Sequence, residues 1–281
     1  MKTAIINGRI ITPHRILDQA SLVMEDGVIE GIVKGRKPEA DCYIDAQGSY
    51  VSPGFIDIHT HGGGGYDFMD GTPEAIIKAC MAHLAHGTTS ICPTTLTCTD
   101  EELLTFFDCY REAGKQMENG PELLGIHLEG PYFSLEQRGA QDPQYIKVPA
   151  KDDYKKLLDA SDDIIRMSAA PELEGAMELA DELKARGILA SIGHSDATYA
   201  HVIEAWERGY THVTHLYSGM STIRRINAYR HLGVIESAYL IDGMTVEIIA
   251  DGKHLPPELL RFIVKMKPIE DICLVTDSMR G

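Results

Sequence analysis

An α/β fold is predicted for this sequence: a (β/α)8 TIM-type barrel over residues 53–281, preceded by a small β-sandwich part over residues 1–52. Three observations carry the prediction. Up to residue 52 the chain offers short β-branched runs and turn dipeptides with no helical period. From Pro53 onward, strand and helix signals alternate in one direction until eight strands have been counted. Finally, a polar, metal-capable side chain stands at or just past most strand ends, where such barrels place their sites.

In the first part, Ala4-Ile5-Ile6 and Ile10-Ile11 flank Asn7-Gly8. The runs Ser21–Met24 and Val28–Val33 flank Asp26-Gly27. Both dipeptides tolerate positive φ, so each is expected to make a tight turn between two strands. Short strands without a covering helix form a half-sandwich that needs more sheet to close. Partner strands missing from the C-terminus are expected to supply it.

The barrel reading begins with Phe55–Ile58 as its first strand. Thr72-Pro73-Glu74 starts a helix that Gly87 ends. Thr88–Thr94 is the second strand, and Thr99-Asp100-Glu101-Glu102 is a capping box for a helix stopping at Gly120-Pro121. Leu123–Glu129 and Ile164–Ala169 are the third and fourth strands. A helix from about Leu173 to Arg186, closed by Gly187, leads to the fifth strand at Ile188–His194. A helix around Tyr199–Arg208 precedes the sixth, His212–Leu216. Thr245–Ala250 is the seventh, the helix Pro257–Met266 follows, and Asp271–Asp277 is the eighth. The chain stops at Gly281, so the eighth helix is expected to be missing.

The totals exclude several classes. A net charge of -16, from 42 acidic against 26 basic residues, argues against nucleic acid and anionic membrane as partners. An anionic substrate therefore needs a local basic pocket. The six cysteines form no C-x-x-C pair and suit a reduced, cytoplasmic protein. The N-terminus has no signal-peptide core, and no apolar run approaches the roughly 20 residues of a membrane span.

Chemistry concentrates first at His59-Thr60-His61, followed by Gly62 to Gly65. Residues two apart on a strand project to the same side, so both imidazoles could share a divalent metal. The glycines let backbone pass close to whatever binds. Alone the pair is weak, because most histidine pairs at strand ends are surface features. It gains weight from Glu129, His194, His215, His254 and Asp277 at or just past later strand ends.

Together, Pro53–His61, His127-Leu128-Glu129-Gly130-Pro131, Gly193-His194-Ser195, Thr214-His215-Leu216-Tyr217, Asp251-Gly252-Lys253-His254 and Leu274-Val275-Thr276-Asp277 resemble the N-acetylglucosamine-6-phosphate deacetylases of the amidohydrolase superfamily. The motifs run from end to end in matching order. The resemblance implies deacetylation of N-acetylglucosamine 6-phosphate to glucosamine 6-phosphate and acetate, in amino-sugar catabolism. It implies that Glu129, His194 and His215 hold the principal divalent cation, with His59 and His61 for a second. Zinc is the first expectation, with iron, cobalt or manganese as alternatives. Asp277 matches the family's acid–base carboxylate. A metal lowers the pKa of water towards about 7, so a neighbouring carboxylate can take that proton and return it to the leaving amine. His254 matches the histidine that holds the substrate's carbonyl or sugar.

Two stretches depart from the family pattern. A Gly-x-His that touches the sugar is replaced here by Gly139-Ala140-Gln141, which puts an amide where an imidazole is usual. Ser218-Gly219 stands where an Asn-Ala pair meets the phosphate. The segment Ser221–His231 is the densest basic cluster of the chain. Counting back from Asp251 puts Arg230 at the phosphate position, while counting forward from His215 favours Arg225; Arg224 is adjacent. An arginine fork suits a phosphate. In the family this arginine reaches the neighbouring subunit's site, which implies a homodimer. The alternatives are a relative acting on another N-acetylhexosamine phosphate such as N-acetylgalactosamine 6-phosphate, one acting on a different amide, and a non-catalytic metal-binding barrel. His14, His83, His86, His201, His212 and His231 match no motif, and Asp152-Asp153 is expected in a solvated turn.

Overall fold

The computed structural model describes residues 1–281, which divide into two compact units, Met1–Phe55 and Ile56–Gly281. The first unit is a single five-stranded sheet. Its strands are β1 (Lys2–Ile11), β2 (Ile16–Glu25), β3 (Val28–Lys34), β4 (Cys42–Asp45) and β5 (Tyr50–Val51). Their order is β3-β2-β1-β4, with β5 also pairing with β1. The Asp26-Gly27 turn forms as expected, with both residues at positive φ between antiparallel β2 and β3. Asn7-Gly8 does not turn the chain. It lies inside continuous β1 as a register irregularity, with Asn7 at φ 56° and its amide donating to Asp45 Oδ1 at 3.0 Å. Glycine is needed next to it, since a Cβ there would meet Val51 Cγ2 at 2.7 Å. The dipeptide signal was right about positive φ and wrong about what positive φ does here.

The second unit opens with β6 (Phe55–Thr60), a small hairpin β7 (Gly62–Gly63) and β8 (Tyr66–Asp67), then α1 (Pro73–Leu84). Thr72 caps α1 by accepting from Ala75 N–H, and Pro73 occupies its first turn. β9 (Thr88–Pro93) leads to α2 (Asp100–Gln116), where the Thr99/Glu102 capping box is complete. That helix buries Leu103, Phe106, Phe107, Tyr110 and Ala113 on one face. The third barrel strand is broken into β10 (Glu122–Leu123) and β11 (Ile126–Glu129). Gly125 separates them at φ 140°, where a Cβ would strike Ile165 Cγ2 at 2.5 Å.

Next come α3 (Lys151–Leu158), β12 (Ile164–Ala169), α4 (Ala176–Arg186), β13 (Leu189–Ile192), α5 (Tyr199–Arg208) and β14 (Tyr210–Val213). Asp152 and Asp153 belong to the first turn of α3, where acids suit the helix N-terminus, and not to a solvated turn. A hairpin of β15 (Arg224–Ile226) and β16 (Tyr229–His231) precedes α6 (Val234–Leu240), β17 (Thr245–Ile249), α7 (Pro257–Met266) and β18 (Ile272–Val275).

The barrel strands are all parallel. β11-β12-β13-β14-β17-β18 form one run and β10-β9-β6 another. A bridge between Thr94 and His127 carries the pairing from β9 to β11. On the other side, Asp277 N–H donates to His59 O at 2.9 Å and His61 N–H to Ser278 O at 2.8 Å, tying the residues after β18 to β6. Eight strands therefore form a closed ring. Apolar side chains of the strands meet the helices, while the lumen holds Arg166, Ser168, Ser191, His212, Thr214 and Glu247, all buried. These polar groups are tied to one another by hydrogen bonds, as burial demands.

Candidate active site

The strand ends bring six predicted residues into one cluster, five of them buried and Asp277 partly so. His59 is the last but one residue of β6, and His61 follows it by two. Glu129 ends β11, His194 and His215 follow β13 and β14, and Asp277 follows β18. Three of them sit at positive φ: His194 at 47°, His215 at 31° and Asp277 at 47°. The chain turns sharply out of each strand there, swinging the side chain over the lumen.

Glu129 is the hub. Its Oε1 lies 3.0 Å from His215 Nε2 and 3.3 Å from His194 Nε2, and those two nitrogens are 3.2 Å apart. Oε2 faces His61 Nε2 at 3.3 Å, and Oε1 also faces His59 Nε2 at 3.4 Å. Two donor groups result, His59–His61–Glu129 and Glu129–His194–His215, each with ligand atoms within 4.8 Å of one another. Asp277 Oδ1 completes the cluster, 3.1 Å from His61 Nε2 and 3.4 Å from His59 Nε2.

The far nitrogens of three rings show how those imidazoles are oriented, while His215 Nδ1 is buried without a partner. His194 Nδ1–H donates to Gln137 O at 2.9 Å, and His61 Nδ1 faces Thr94 O at 3.3 Å. His59 Nδ1 lies 3.0 Å from Glu247 Oε2. In each case the contact at Nδ1 leaves Nε2 aimed at the carboxylates. His59 Nε2 is fully buried and has no hydrogen-bond partner. An orphaned imidazole nitrogen facing shared carboxylate oxygens fits a divalent cation.

Electrostatics agree. Burial disfavours the His59 imidazolium, but the Glu129 and Glu247 carboxylates outweigh it and raise that ring well above its usual range. His61 is likewise pushed up to about 9, against burial, by Asp277 and Glu129. Burial alone would raise Glu129, yet the surrounding imidazoles hold it well below the usual carboxylate range. Asp277 is lowered too, His61 and His59 overriding burial. The cluster calls for positive charge at its centre, which a bound cation supplies in place of protons.

The remaining predicted residues lie apart from the cluster or serve it differently. Gln141 is buried, and both ends of its amide are used within the protein: Oε1 accepts from Thr97 N–H and Nε2 donates to Glu129 Oε2, each at 2.8 Å. Ala140 beside it is exposed. Gly219 sits at φ 55°, and a Cβ there would fall 2.9 Å from His194 Nδ1. Ser218 N–H donates to His215 O at 2.9 Å. His254 is exposed and bonded to Asp251 in its own loop, and it makes no hydrogen bond to the cluster. Arg224 is taken by Asp196, through both its carboxylate and its backbone oxygen. Arg225 and Arg230 stand directly opposite each other across the β15–β16 hairpin, both exposed.

Sequence reasoning passed over Arg166, Glu247, Thr94 and Thr95. Thr95 Oγ1 accepts from Glu129 N–H at 3.2 Å. The signal for Arg166 and Glu247 was present: single charges inside the strand runs Ile164–Ala169 and Thr245–Ile249. His83 and His212, which match no motif, are buried structural residues; His83 Nε2 lies 3.0 Å from Gly62 O.

Comparison with known proteins decides the family. The amidohydrolase family model matches residues 50–279. The chain belongs to the amidohydrolase family. That family is metal-dependent, and the two donor groups are suited to such an ion. Among curated relatives, the N-acetylglucosamine-6-phosphate deacetylase of Haemophilus influenzae is 34% identical over 283 residues, covering 99% of this chain and 72% of that protein. The N-acetylgalactosamine-6-phosphate deacetylase of Escherichia coli is 30% identical, over 97% of this chain and 70% of that protein. The crystal structure of N-acetylglucosamine-6-phosphate deacetylase from Pasteurella multocida superposes with a TM-score of 0.90 at 32% identity, covering 100% of this chain and 72% of that one. No helix of this amidohydrolase is long and apolar enough to cross a membrane.

Proposed function

We propose that this amidohydrolase removes the acetyl group of N-acetylglucosamine 6-phosphate, releasing acetate and glucosamine 6-phosphate. The observation that carries the reading is Asp277 Oδ1, 3.1 Å from His61 Nε2 beside two donor groups that share Glu129. Glu129, His194 and His215 would hold the principal ion, and His59 with His61 a second that shares Glu129. Zinc is proposed first, since a set of two imidazoles and a carboxylate suits it. When bound, such an ion polarises the acetamide carbonyl and acidifies the attacking water.

The chain's own residues do the rest. Asp277 takes the proton from water as its oxygen bonds to the acetamide carbon. The same carboxyl then gives that proton to the departing nitrogen as the C–N bond breaks. Arg225 and Arg230 are proposed to grip the 6-phosphate. Like charges directly opposite on a hairpin repel, and a dianion between them would remove that penalty. The β15–β16 hairpin is proposed to present them to the site of a second subunit in a homodimer. Sedimentation showing only monomer under assay conditions would contradict that assembly.

The test is acetate release from N-acetylglucosamine and N-acetylgalactosamine, each with and without 6-phosphate. Turnover of the phosphorylated glucosamine derivative at least tenfold above the others is expected. Preference for the galactosamine epimer would transfer the assignment to that sugar, and no acetate from any of the four would refute it.

A further inference from the structure

Glu247 is fully buried in the lumen beneath the donor cluster, on β17, and four groups converge on it. Arg166 Nη1 donates to Oε1. On the other side, His59 Nδ1 lies 3.0 Å and His215 N–H 3.1 Å from Oε2. His212 Nε2 stands 3.4 Å from Oε1. Arg166 is itself braced by Thr214 Oγ1 at 2.8 Å. The carboxylate thus has a donor on each oxygen, and one of those donors is the ring of a proposed ligand.

We infer that Glu247, held by Arg166, is the positioning residue that keeps His59 in its ligating form and so determines whether the second ion binds. Oε2 gives the His59 Nδ1 hydrogen an acceptor, so that when an ion takes the place of the proton on the buried, unpartnered Nε2, which faces Glu129 and Asp277, the remaining hydrogen stays on Nδ1. Without that acceptor the hydrogen moves to Nε2, where it blocks coordination. The principal group, Glu129–His194–His215, has only its backbone link from His215 N–H to Glu247 and should keep its ion. The inference rests on the metal reading proposed above.

An amide cannot accept on both sides as a carboxylate does. A glutamine offers one acceptor end, whereas Arg166 on one side and His59 with His215 N–H on the other all donate. In Glu247→Gln, Arg166 claims the oxygen and the amide NH2 is left facing His59. If Arg166 is also removed, in Arg166→Met with Glu247→Gln, the oxygen is free to turn back to His59. The pair Arg166→Met with Glu247→Met offers no acceptor at all. Neither double variant leaves a buried charge unpaired, so both keep the comparison available if the single variant does not fold.

Zinc and cobalt(II) content and affinity, measured by plasma mass spectrometry and chelator competition on the apo chain, read the outcome without any assay of turnover. The parent is expected to bind two ions. Glu247→Gln and the Met/Met pair should keep one and lose roughly 10- to 100-fold in affinity for the other. The Met/Gln pair should recover most of that loss, with the two-ion cobalt absorption spectrum. Second-ion affinity within threefold of the parent in the Met/Met pair would overturn the inference, as would a parent binding a single ion. A parent that binds no ion would instead refute the metal reading itself.

Discussion

Gln141 donates its amide hydrogen to Glu129 Oε2 at 2.8 Å, while its own oxygen is held by Thr97 N–H. The backbone contact fixes which end of the amide faces the carboxylate, so Glu129 has one orientation available. Gln141→Leu should leave the fold intact and weaken metal retention by roughly tenfold, by freeing the hub carboxylate to rotate. Chelator competition on the purified variant measures this, and unchanged affinity would contradict it.

Glu129 is the only anionic member common to both donor groups. Glu129→Gln should therefore lose both ions, and with them all measurable acetate release. Chelating the parent should do the same reversibly, with a lower melting temperature that metal restores, because an ion bound only to the folded chain stabilises it. Full metal content in the variant would refute the assignment.

Asp277→Asn keeps size and tolerates the positive φ of 47° at that position. It cannot accept a proton. Substrate binding should survive while kcat falls by several orders of magnitude. A variant within tenfold of the parent would remove Asp277 from the acid–base role.

The opposed arginines predict a selective effect. Arg225→Ala and Arg230→Ala should each lower kcat/KM for the phosphorylated sugar by about 10- to 100-fold, and hardly alter it for the unphosphorylated one. Equal losses on both substrates would point to folding and not to phosphate recognition.

Lys267 offers a pH test remote from the site. Its ammonium is buried, donating to Ala238 O at 2.9 Å, and burial lowers its pKa despite Asp271 and Asp242 nearby. Between the lowered folded value and the unfolded value of 10.5, the unfolded chain binds more protons, so stability contributed by this group rises with pH. Lys267→Met should lack that alkaline rise when its urea unfolding is compared with the parent's across pH 8 to 11. Parallel curves would contradict the sign.

Much of the barrel was legible because its helices announce themselves. Thr72-Pro73 and Thr99–Glu102 are local caps, satisfied by residues within one turn. What was not legible depends on distant contacts. Gly125 breaks the third strand because Ile165 crowds it from the next strand, and Asn7-Gly8 stays within β1 because β5 packs against it. Short α3 and α6 gave too few periodic positions to stand out. In the candidate site, histidines and carboxylates at strand ends were visible as a pattern along the chain. The link from Gln141 to Glu129, and the stack of Arg166, Glu247 and His59 beneath it, join residues 12 to 188 positions apart, a juxtaposition that exists only once the ring of strands has closed.

The left-handed backbone at His194, His215 and Asp277 has a consequence for anyone adapting this protein. Such conformations cost non-glycine residues on the order of 1–3 kcal/mol each. Glycine at any of the three would relax the chain while deleting a proposed ligand or the proposed proton carrier. A library ranked by heat survival alone would therefore be drawn towards sturdier, inert descendants at these positions. Selection for robustness on this scaffold needs a turnover gate beside the heat step, with residues 194, 215 and 277 held constant.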